Sequence, residues 1–257
     1  MTGAGRSPVF TGVGVGLVTF FDASGHVDAA ATARHAEHLA GRGMRALVVA
    51  GTTGEASHLS MKERLRLLDA VRAAVGDDVP VILGTGNLAA GVSVPDLTRR
   101  AAEHGASAAL TLSPHHGDIR EFYGEVVAAA GAMPVLAYHF PQVSAPGISL
   151  EELKALKVAG LKDSSGDCER LLDTLAHFHK PFYTGSSSIV AWAGMLGATG
   201  AILAAANLEP ELCVDAFAGS VPAQKDLLSA HKIVSCYGVK GIKEELARRY
   251  GTSTVCR

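Results

Sequence analysis

The stretch ALVVAGTTGEASHLSMKERLRLLDAVRAAV, residues 46–75, contains the unit that decides the fold. Its first five residues, Ala46–Ala50, are an apolar run typical of a buried strand, and the polar loop GTTGEASHLS follows them. Ser60–Val75 has apolar residues at helical spacing, and Ser60 with Glu63 three residues later forms a capping-box pattern. The stretch therefore predicts a strand, a loop and an amphipathic helix in that order.

The same strand–loop–helix unit is repeated along the chain. Strands are predicted at Val13–Phe20, Ala46–Ala50, Val79–Leu83, Ala108–Leu112, Val135–Tyr138, Ala159–Lys162, Phe182–Thr184 and Ala201–Ala205. Helices are predicted between them, at Asp28–Gly43, Ser60–Val75, Val94–His104, Ile119–Ala130, Ser149–Lys157, Cys168–Phe178 and Ser188–Leu196. Eight such units favour a (β/α)8 TIM barrel, an α/β fold with parallel strands. A doubly wound open sheet is the structural alternative, because periodicity alone does not show closure.

The pattern predicts a single structural unit, since no linker or low-complexity stretch divides the 257 residues. Residues 1–220 are expected to form the barrel and catalytic domain, and residues 221–257 a short C-terminal helical extension packed on it. The extension stops at Val255-Cys256-Arg257, which leaves open whether the C-terminus is complete.

Composition narrows the functional classes. Lys and Arg number 23 against 25 Asp and Glu, so no basic excess predicts a nucleic-acid or membrane-surface partner. Residues 1–10 lack the apolar core of a signal peptide, and no apolar stretch is long enough to span a membrane. The four cysteines contain no CxxC pair, which predicts neither a disulfide framework nor a zinc knuckle. We therefore expect a cytoplasmic protein.

In a TIM barrel, reactive groups lie at the carboxyl ends of the strands. Only Lys162, in AGLKDSSG, ends a predicted strand at that face, and Lys180 begins a strand at the opposite face. Desolvation disfavours an ammonium ion, so a lysine in the barrel mouth is expected to be nucleophilic toward a carbonyl. An ion pair of Lys162 with Asp163 is the structural alternative. The other lysines are expected to be solvated on helices or turns: Lys62, Lys154, Lys157, Lys225, Lys232, Lys240 and Lys243.

Tyr138 is the second candidate catalytic residue, because it ends the strand that precedes the strand of Lys162. A phenol at adjacent strand ends is able to relay protons to a carbinolamine or a substrate hydroxyl. The alternative is a tyrosine with its ring in the core and its hydroxyl in water.

Two loops are candidate binding elements. Thr52 and Thr53, in the turn GTTGE, offer backbone N–H groups and hydroxyls to a carboxylate, although an ordinary βα turn has the same composition. Gly185-Ser186-Ser187-Ser188 follows the seventh strand, where many barrels hold a phosphate. His115-His116 follows the fourth strand, but no ligand partner occurs at fixed spacing, so no metal site is predicted.

These elements resemble, in order and spacing, the dihydrodipicolinate synthase / N-acetylneuraminate lyase family of class I pyruvate-dependent aldolases. The resemblance covers nearly the whole chain. It is carried by LVTFFDASGHVD, GTTGEASHLSMKER, TLSPHH, PVLAYHFP, GLKDSSGD and GAILAAANLEP.

The resemblance implies a role for each matching residue. Lys162 would form a Schiff base with pyruvate or another 2-oxo acid, Tyr138 would transfer protons, and Thr53 would relay through that tyrosine. Thr52 and Thr53 would hold the pyruvate carboxylate. The pyruvyl pocket would also be lined by Gly185 and Ile202. Because the iminium is itself the electron sink, no metal or other cofactor is expected.

The sequence departs from the synthases that condense pyruvate with aspartate semialdehyde. His115-His116 replaces a Tyr-Tyr pair, and Val143 replaces the arginine that binds the semialdehyde carboxylate. We therefore expect a lyase for a 2-keto-3-deoxy sugar acid or a similar 2-oxo acid. The alternative is 4-hydroxy-tetrahydrodipicolinate synthase, with pyruvate and an aldehyde as substrates.

Other classes remain as alternatives. A metal-dependent aldolase needs carboxylate and His ligands at strand ends, and a non-catalytic oxo-acid-binding protein would keep the pocket without turnover. The family resemblance also implies a homo-oligomer, a tetramer or dimer, with the His115-His116 loop near a neighbouring active site.

Overall fold

Eight parallel strands form a closed barrel in the computed structural model, which describes residues 7–86 and 93–257. The strands are β1 Gly12–Gly16, β2 Leu47–Val49, β3 Val81–Gly84, β4 Ala108–Leu112, β5 Val135–His139, β6 Gly160–Asp163, β7 Phe182–Thr184 and β8 Gly200–Leu203. They pair in chain order, and β1 pairs with β8, with Gly12 opposite Gly200. The predicted TIM barrel is confirmed, and the open sheet is wrong because the first and last strands share hydrogen bonds.

Helices cover the outside of the barrel. They are α1 Ala29–Gly41, α2 Met61–Val75, α3 Val94–Glu103, α4 Ile119–Ala130, α5 Leu150–Ala155, α6 Cys168–His177, α7 Val190–Met195, α8 Pro210–Phe217, α9 Val221–Asp226, α10 Leu228–Lys232 and α11 Gly238–Tyr250. The predicted capping box forms at α2, because the Ser60 hydroxyl accepts from the Glu63 N–H and the Glu63 carboxylate accepts from the Ser60 N–H. Within the described ranges, no helix has the length and apolar character needed to cross a membrane.

The first strand is shorter than the predicted Val13–Phe20, because side-chain oxygen atoms accept the hydrogen bonds of the backbone N–H groups of Val18 and Phe20. The Val18 N–H donates to Asn207 Oδ1 at 3.3 Å, and the Phe20 N–H donates to Thr32 Oγ1 at 3.0 Å. These bonds take the place of the sheet hydrogen bonds that a longer strand would make.

The amino end of the barrel interior is filled by aromatic side chains. Phe10 and Tyr183 stack with ring centroids 4.6 Å apart, and the Tyr183 hydroxyl donates to the Phe10 carbonyl at 2.9 Å. Above them, the inward-facing side chains of the strands form an apolar layer. The amino end is therefore packed, and the space for a ligand lies at the carboxyl end.

The C-terminal extension packs back onto the barrel through α11. Lys243, expected to be solvated, is fully buried and pairs with Glu55 of the GTTGE turn, so that prediction is wrong. The helix brings Lys243 over a barrel loop that is distant in sequence, which periodicity does not reveal. The division of the chain at residue 220 stays a prediction. The expected lack of a signal peptide is based on residues 1–10, of which residues 1–6 lie outside the described residues.

Candidate active site

A cavity of about 600 Å³ opens at the carboxyl end of the strands. It lies where the catalytic face of a TIM barrel is expected. The structure brings to its lining all six residues to which the family resemblance assigns a role: Thr52, Thr53, Tyr138, Lys162, Gly185 and Ile202.

Lys162 and Tyr138 are register partners on neighbouring strands β6 and β5. Lys162 is buried, and its Nζ lies 4.3 Å from the centroid of the Tyr138 ring. Asp163 points to the opposite face of the strand, as alternation requires, and its carboxylate accepts from Arg170 Nε at 2.6 Å and from the Ser165 hydroxyl at 2.6 Å. The alternative of a Lys162–Asp163 ion pair is therefore wrong. Within residues 7–86 and 93–257, no carboxylate pairs with Lys162.

Gly185 allows Lys162 to occupy this position. A Cβ at residue 185 would lie 3.0 Å from Lys162 Cε and 1.9 Å from the Ser164 hydroxyl oxygen. Any side chain at residue 185 would therefore displace Ser164 or push against the lysine. Glycine at the end of β7 is needed for close packing against β6.

A buried tyrosine supports the backbone of Tyr138. The Tyr123 hydroxyl donates to the Thr111 carbonyl at 2.8 Å and accepts from the Tyr138 N–H at 3.4 Å. Burial raises the pKa of Tyr123 well above its ordinary value, so the hydroxyl stays protonated and keeps its donor. This link fixes the end of β5 from the helix side.

The GTTGE turn contributes Thr52 and Thr53 to the cavity lining, and it holds backbone N–H groups without a partner among the described residues. The N–H groups of Gly54 and Glu55 bond within the turn, to the carbonyls of Gly51 and Thr52. In contrast, the N–H groups of Thr52 and Thr53 have no acceptor among the described residues. Free N–H groups in such a turn bind anions, so this turn suits a carboxylate.

Two residues of this segment adopt the left-handed backbone conformation without being glycine. They are Ala50, with φ of 51°, and Glu55, with φ of 57°. Such conformations cost on the order of 1–3 kcal/mol and persist where the surrounding structure holds them. The turn is thus strained on both sides of the two threonines.

The outer part of the cavity is lined by hydroxyl groups and by residues of the C-terminal extension. Sequence reasoning missed His231, whose Nδ1 lies 3.0 Å from the Ser187 hydroxyl oxygen. The Ser187 carbonyl accepts from Gln224 Nε2 at 2.9 Å, which fixes this loop to α9. A single histidine on a short helix carries no signal of this kind in sequence. The hydroxyl-bearing lining residues of this part are Ser164, Ser165, Ser186, Ser187, Ser188 and Ser235.

The charge of the cavity is concentrated at one point. Of the described lining residues, Lys162 is the only lysine or arginine, and none is an aspartate or glutamate. Val143 lines the cavity beside Phe140 and supplies no charge. No three His, Cys, Asp or Glu side chains in the described parts of the chain come together as a metal-binding set.

The two histidines after β4 are exposed and do not line the cavity. The ring centroids of His115 and His116 lie 6.3 Å apart. Their placement near a neighbouring active site stays a prediction.

Comparison with known proteins agrees with this arrangement. The model of the dihydrodipicolinate synthetase family matches residues 9–227. The chain belongs to the dihydrodipicolinate synthetase family. Its members are lyases, and the chain is accordingly a lyase with a small-molecule substrate.

Individual relatives are similar over most of their length. A 4-hydroxy-tetrahydrodipicolinate synthase of Corynebacterium diphtheriae is 34% identical over 79% of this chain and 70% of its own. An uncharacterized DapA-like lyase of Halobacterium salinarum is 36% identical over 82% of this chain and 72% of its own. The dihydrodipicolinate synthase of Acinetobacter baumannii, solved with pyruvate, has a TM-score of 0.85 at 26% identity, covering 97% of this chain and 92% of its own.

Proposed function

We propose that this family member is a pyruvate-dependent aldolase that forms a Schiff base at Lys162. Its proposed substrate is a 2-keto-3-deoxy sugar acid or a similar hydroxylated 2-oxo acid. The observation that carries the proposal is the amine of Lys162, which is buried beside the Tyr138 ring without an anionic partner among the described residues. The neutral amine of a lysine is the nucleophile toward a carbonyl carbon, and no carboxylate among the described residues competes for this one.

The proposed steps use residues of the cavity alone. Lys162 Nζ attacks the keto carbon of pyruvate, and loss of water from the carbinolamine leaves an iminium. Removal of a proton from C3 gives the enamine, which attacks the carbonyl carbon of an aldehyde, and water then releases the product and regenerates the amine. Tyr138 carries protons between these groups, with Thr53 as its relay, while the N–H groups of Thr52 and Thr53 hold the carboxylate.

The outer cavity supports a neutral, hydroxylated tail. Serine hydroxyls, Gln142 and His231 are able to donate to and accept from hydroxyl groups. A second carboxylate would lose its hydration without a cation in return, because Val143 lines the wall where a charged residue would be needed. This polarity favours a sugar acid over aspartate semialdehyde.

The second candidate is 4-hydroxy-tetrahydrodipicolinate synthase, which condenses pyruvate with aspartate semialdehyde. The names of several relatives favour it, including the enzyme of Corynebacterium diphtheriae. The two candidates share the Schiff base and differ only in the acceptor aldehyde.

Reductive trapping tests the shared step. Borohydride added with pyruvate is expected to leave one reduced adduct on Lys162, mapped by peptide mass spectrometry, and none on Lys162→Ala. Lys180, at the amino end of β7, is the matched control: Lys180→Ala is expected to keep the adduct. A wild-type protein without any adduct contradicts the proposal and supports a non-catalytic binding protein or a metal-dependent aldolase.

A panel of aldehydes distinguishes the two candidates. Turnover with pyruvate is expected to be faster for glyceraldehyde than for either propionaldehyde or aspartate semialdehyde. His231→Leu is expected to reduce the preference for glyceraldehyde over propionaldehyde. Faster turnover with aspartate semialdehyde would instead identify the synthase.

We also propose a cytoplasmic homo-oligomer, a dimer or tetramer, on the strength of the family resemblance. Sedimentation equilibrium of the purified protein tests the assembly, and a monomer at all concentrations contradicts it.

A further inference from the structure

A buried ion pair joins the C-terminal extension to the turn that carries Thr52 and Thr53. Lys243 of α11 is fully buried, and its ammonium group bonds to the Glu55 carboxylate and donates to the Val255 carbonyl at 2.7 Å. The same ammonium lies 4.4 Å from the centroid of the Phe21 ring. The second oxygen of Glu55 accepts from the Arg257 N–H at 2.7 Å.

Stability alone is a poor account of this pair. Burying two opposite charges costs desolvation that their attraction often only just repays, so apolar residues commonly stabilise such places equally well. Glu55 also holds a left-handed backbone conformation, which is unfavourable for a residue with a side chain. Contacts with the surrounding structure must therefore hold Glu55 in this conformation. Those contacts are made by its carboxylate, with the Lys243 ammonium group and the Arg257 N–H.

Each member of the pair lies within two or four residues, along the chain, of residues that line the cavity. Glu55 is two residues beyond Thr53 in the same turn, and its N–H donates to the Thr52 carbonyl at 3.1 Å. Beside Lys243, the residues Val239 and Ile242 of α11 line the cavity. A displacement of the pair would therefore move both the turn and the wall that faces it.

We propose that Glu55 and Lys243 are positioning residues that orient the Thr52 and Thr53 N–H groups toward the carboxylate of the 2-oxo acid. The inference rests on the proposed function, because it assigns those N–H groups to that carboxylate. The pair makes the carboxylate site dependent on the docking of α11. Its loss is expected to weaken binding of the carboxylate while leaving Lys162 able to form the adduct at saturating pyruvate.

Three variants test the inference: Glu55→Gln, Lys243→Met and the double variant, which leaves no buried charge unpaired. Each is expected to raise the pyruvate concentration for half-maximal trapping by about 10- to 100-fold, as displaced binding groups do. Trapping of methyl pyruvate, which lacks the carboxylate charge, is expected to change less than threefold. A general loss of structure would affect both compounds equally.

Arg249→Met is the matched control on the same helix. Arg249 joins α11 to the barrel elsewhere, through Glu209 at 2.7 Å and the Leu208 carbonyl at 2.8 Å. This variant is expected to lower the melting temperature without changing the half-maximal pyruvate concentration. An equal change for pyruvate and methyl pyruvate, or the same change in Arg249→Met, overturns the inference.

Amide hydrogen exchange provides a measurement that does not depend on pyruvate chemistry. Exchange of the segment 51–56 is expected to be faster in Glu55→Gln and Lys243→Met than in the wild type and Arg249→Met. Unchanged exchange in this segment also overturns the inference. A wild-type protein that forms no adduct contradicts the proposed function instead, and the exchange result still decides whether the pair holds the turn.

Discussion

Lys162 and Lys243 are both buried, and their ammonium groups lie 4.3 Å and 4.4 Å from the centroid of an aromatic ring. Their partners differ. Lys243 bonds to a carboxylate and a carbonyl, whereas Lys162 has a carboxylate next to it in sequence that points to the other face of β6 and bonds to Arg170. Burial and an aromatic neighbour are therefore common to both lysines and do not distinguish them. The difference is that no aspartate or glutamate among the described residues lines the cavity that Lys162 faces.

Removing the hydroxyl of Tyr138 separates the two properties that Lys162 obtains from this residue. Tyr138→Phe keeps the ring beside the ammonium and loses the proposed proton carrier. Turnover is expected to fall by about 10²–10⁴-fold, while the Lys162 adduct still forms more slowly. Single-turnover and steady-state kinetics measure the two effects, and an unchanged turnover number would remove Tyr138 from the mechanism.

Adding one methyl group beside Lys162 tests whether its position matters as much as its lack of a partner. In Gly185→Ala the new carbon meets the Ser164 hydroxyl and Lys162 Cε. Trapping with pyruvate is expected to slow by about 100-fold, the scale of a misplacement near 1 Å. Because the closest clash is with the Ser164 side chain, adding Ser164→Gly is expected to restore most of the rate. A Gly185→Ala variant with the wild-type rate would contradict the packing argument.

His35 is a third buried basic side chain, and unlike a lysine ammonium group it is neutral at pH 7. Burial lowers the pKa of His35 from its ordinary value near 6.5 to about 4, partly opposed by its hydrogen bond to Asn207. At pH values between about 4 and 6.5, His35 binds a proton in the unfolded chain and not in the folded chain. The stability that neutral His35 contributes to the folded protein is therefore lost as the pH falls from 6.5 toward 4. Between pH 7 and pH 5 the loss in the free energy of unfolding is about 2 kcal/mol.

A substitution at His35 isolates that contribution. His35→Gln keeps an N–H donor for Asn207 and does not titrate, so its stability is expected to fall less than that of the wild type over the same interval. His38, which is exposed on the same helix, provides the control variant His38→Gln. Urea unfolding at each pH gives the free energies, and parallel curves for wild type and His35→Gln would contradict the assignment.

Sequence patterns predicted the parts of this molecule that depend on local order. The strand ends at Tyr138 and Lys162 follow from apolar runs and from the position of a polar residue after them, and the structure places both at one cavity. Contacts between segments that are distant in sequence leave no periodic pattern from which they could be predicted. Lys243 is predicted to be solvated on a C-terminal helix, and no sequence pattern points to His231. Only the return of the C-terminal helices to the barrel mouth brings Lys243 to Glu55 and His231 to Ser187.

The pairing of β1 with β8 has a consequence for synthesis of the chain. Gly12 pairs with Gly200, so the hydrogen bonds that complete the barrel wait until 188 further residues have been translated. At typical rates of 5–20 residues per second that interval is roughly 10–40 s. Throughout it, the nascent sheet has two open edges, which are sites for mispairing with other chains. Barrel closure therefore cannot precede synthesis of the eighth strand, and any sheet formed before then keeps two unpaired edges.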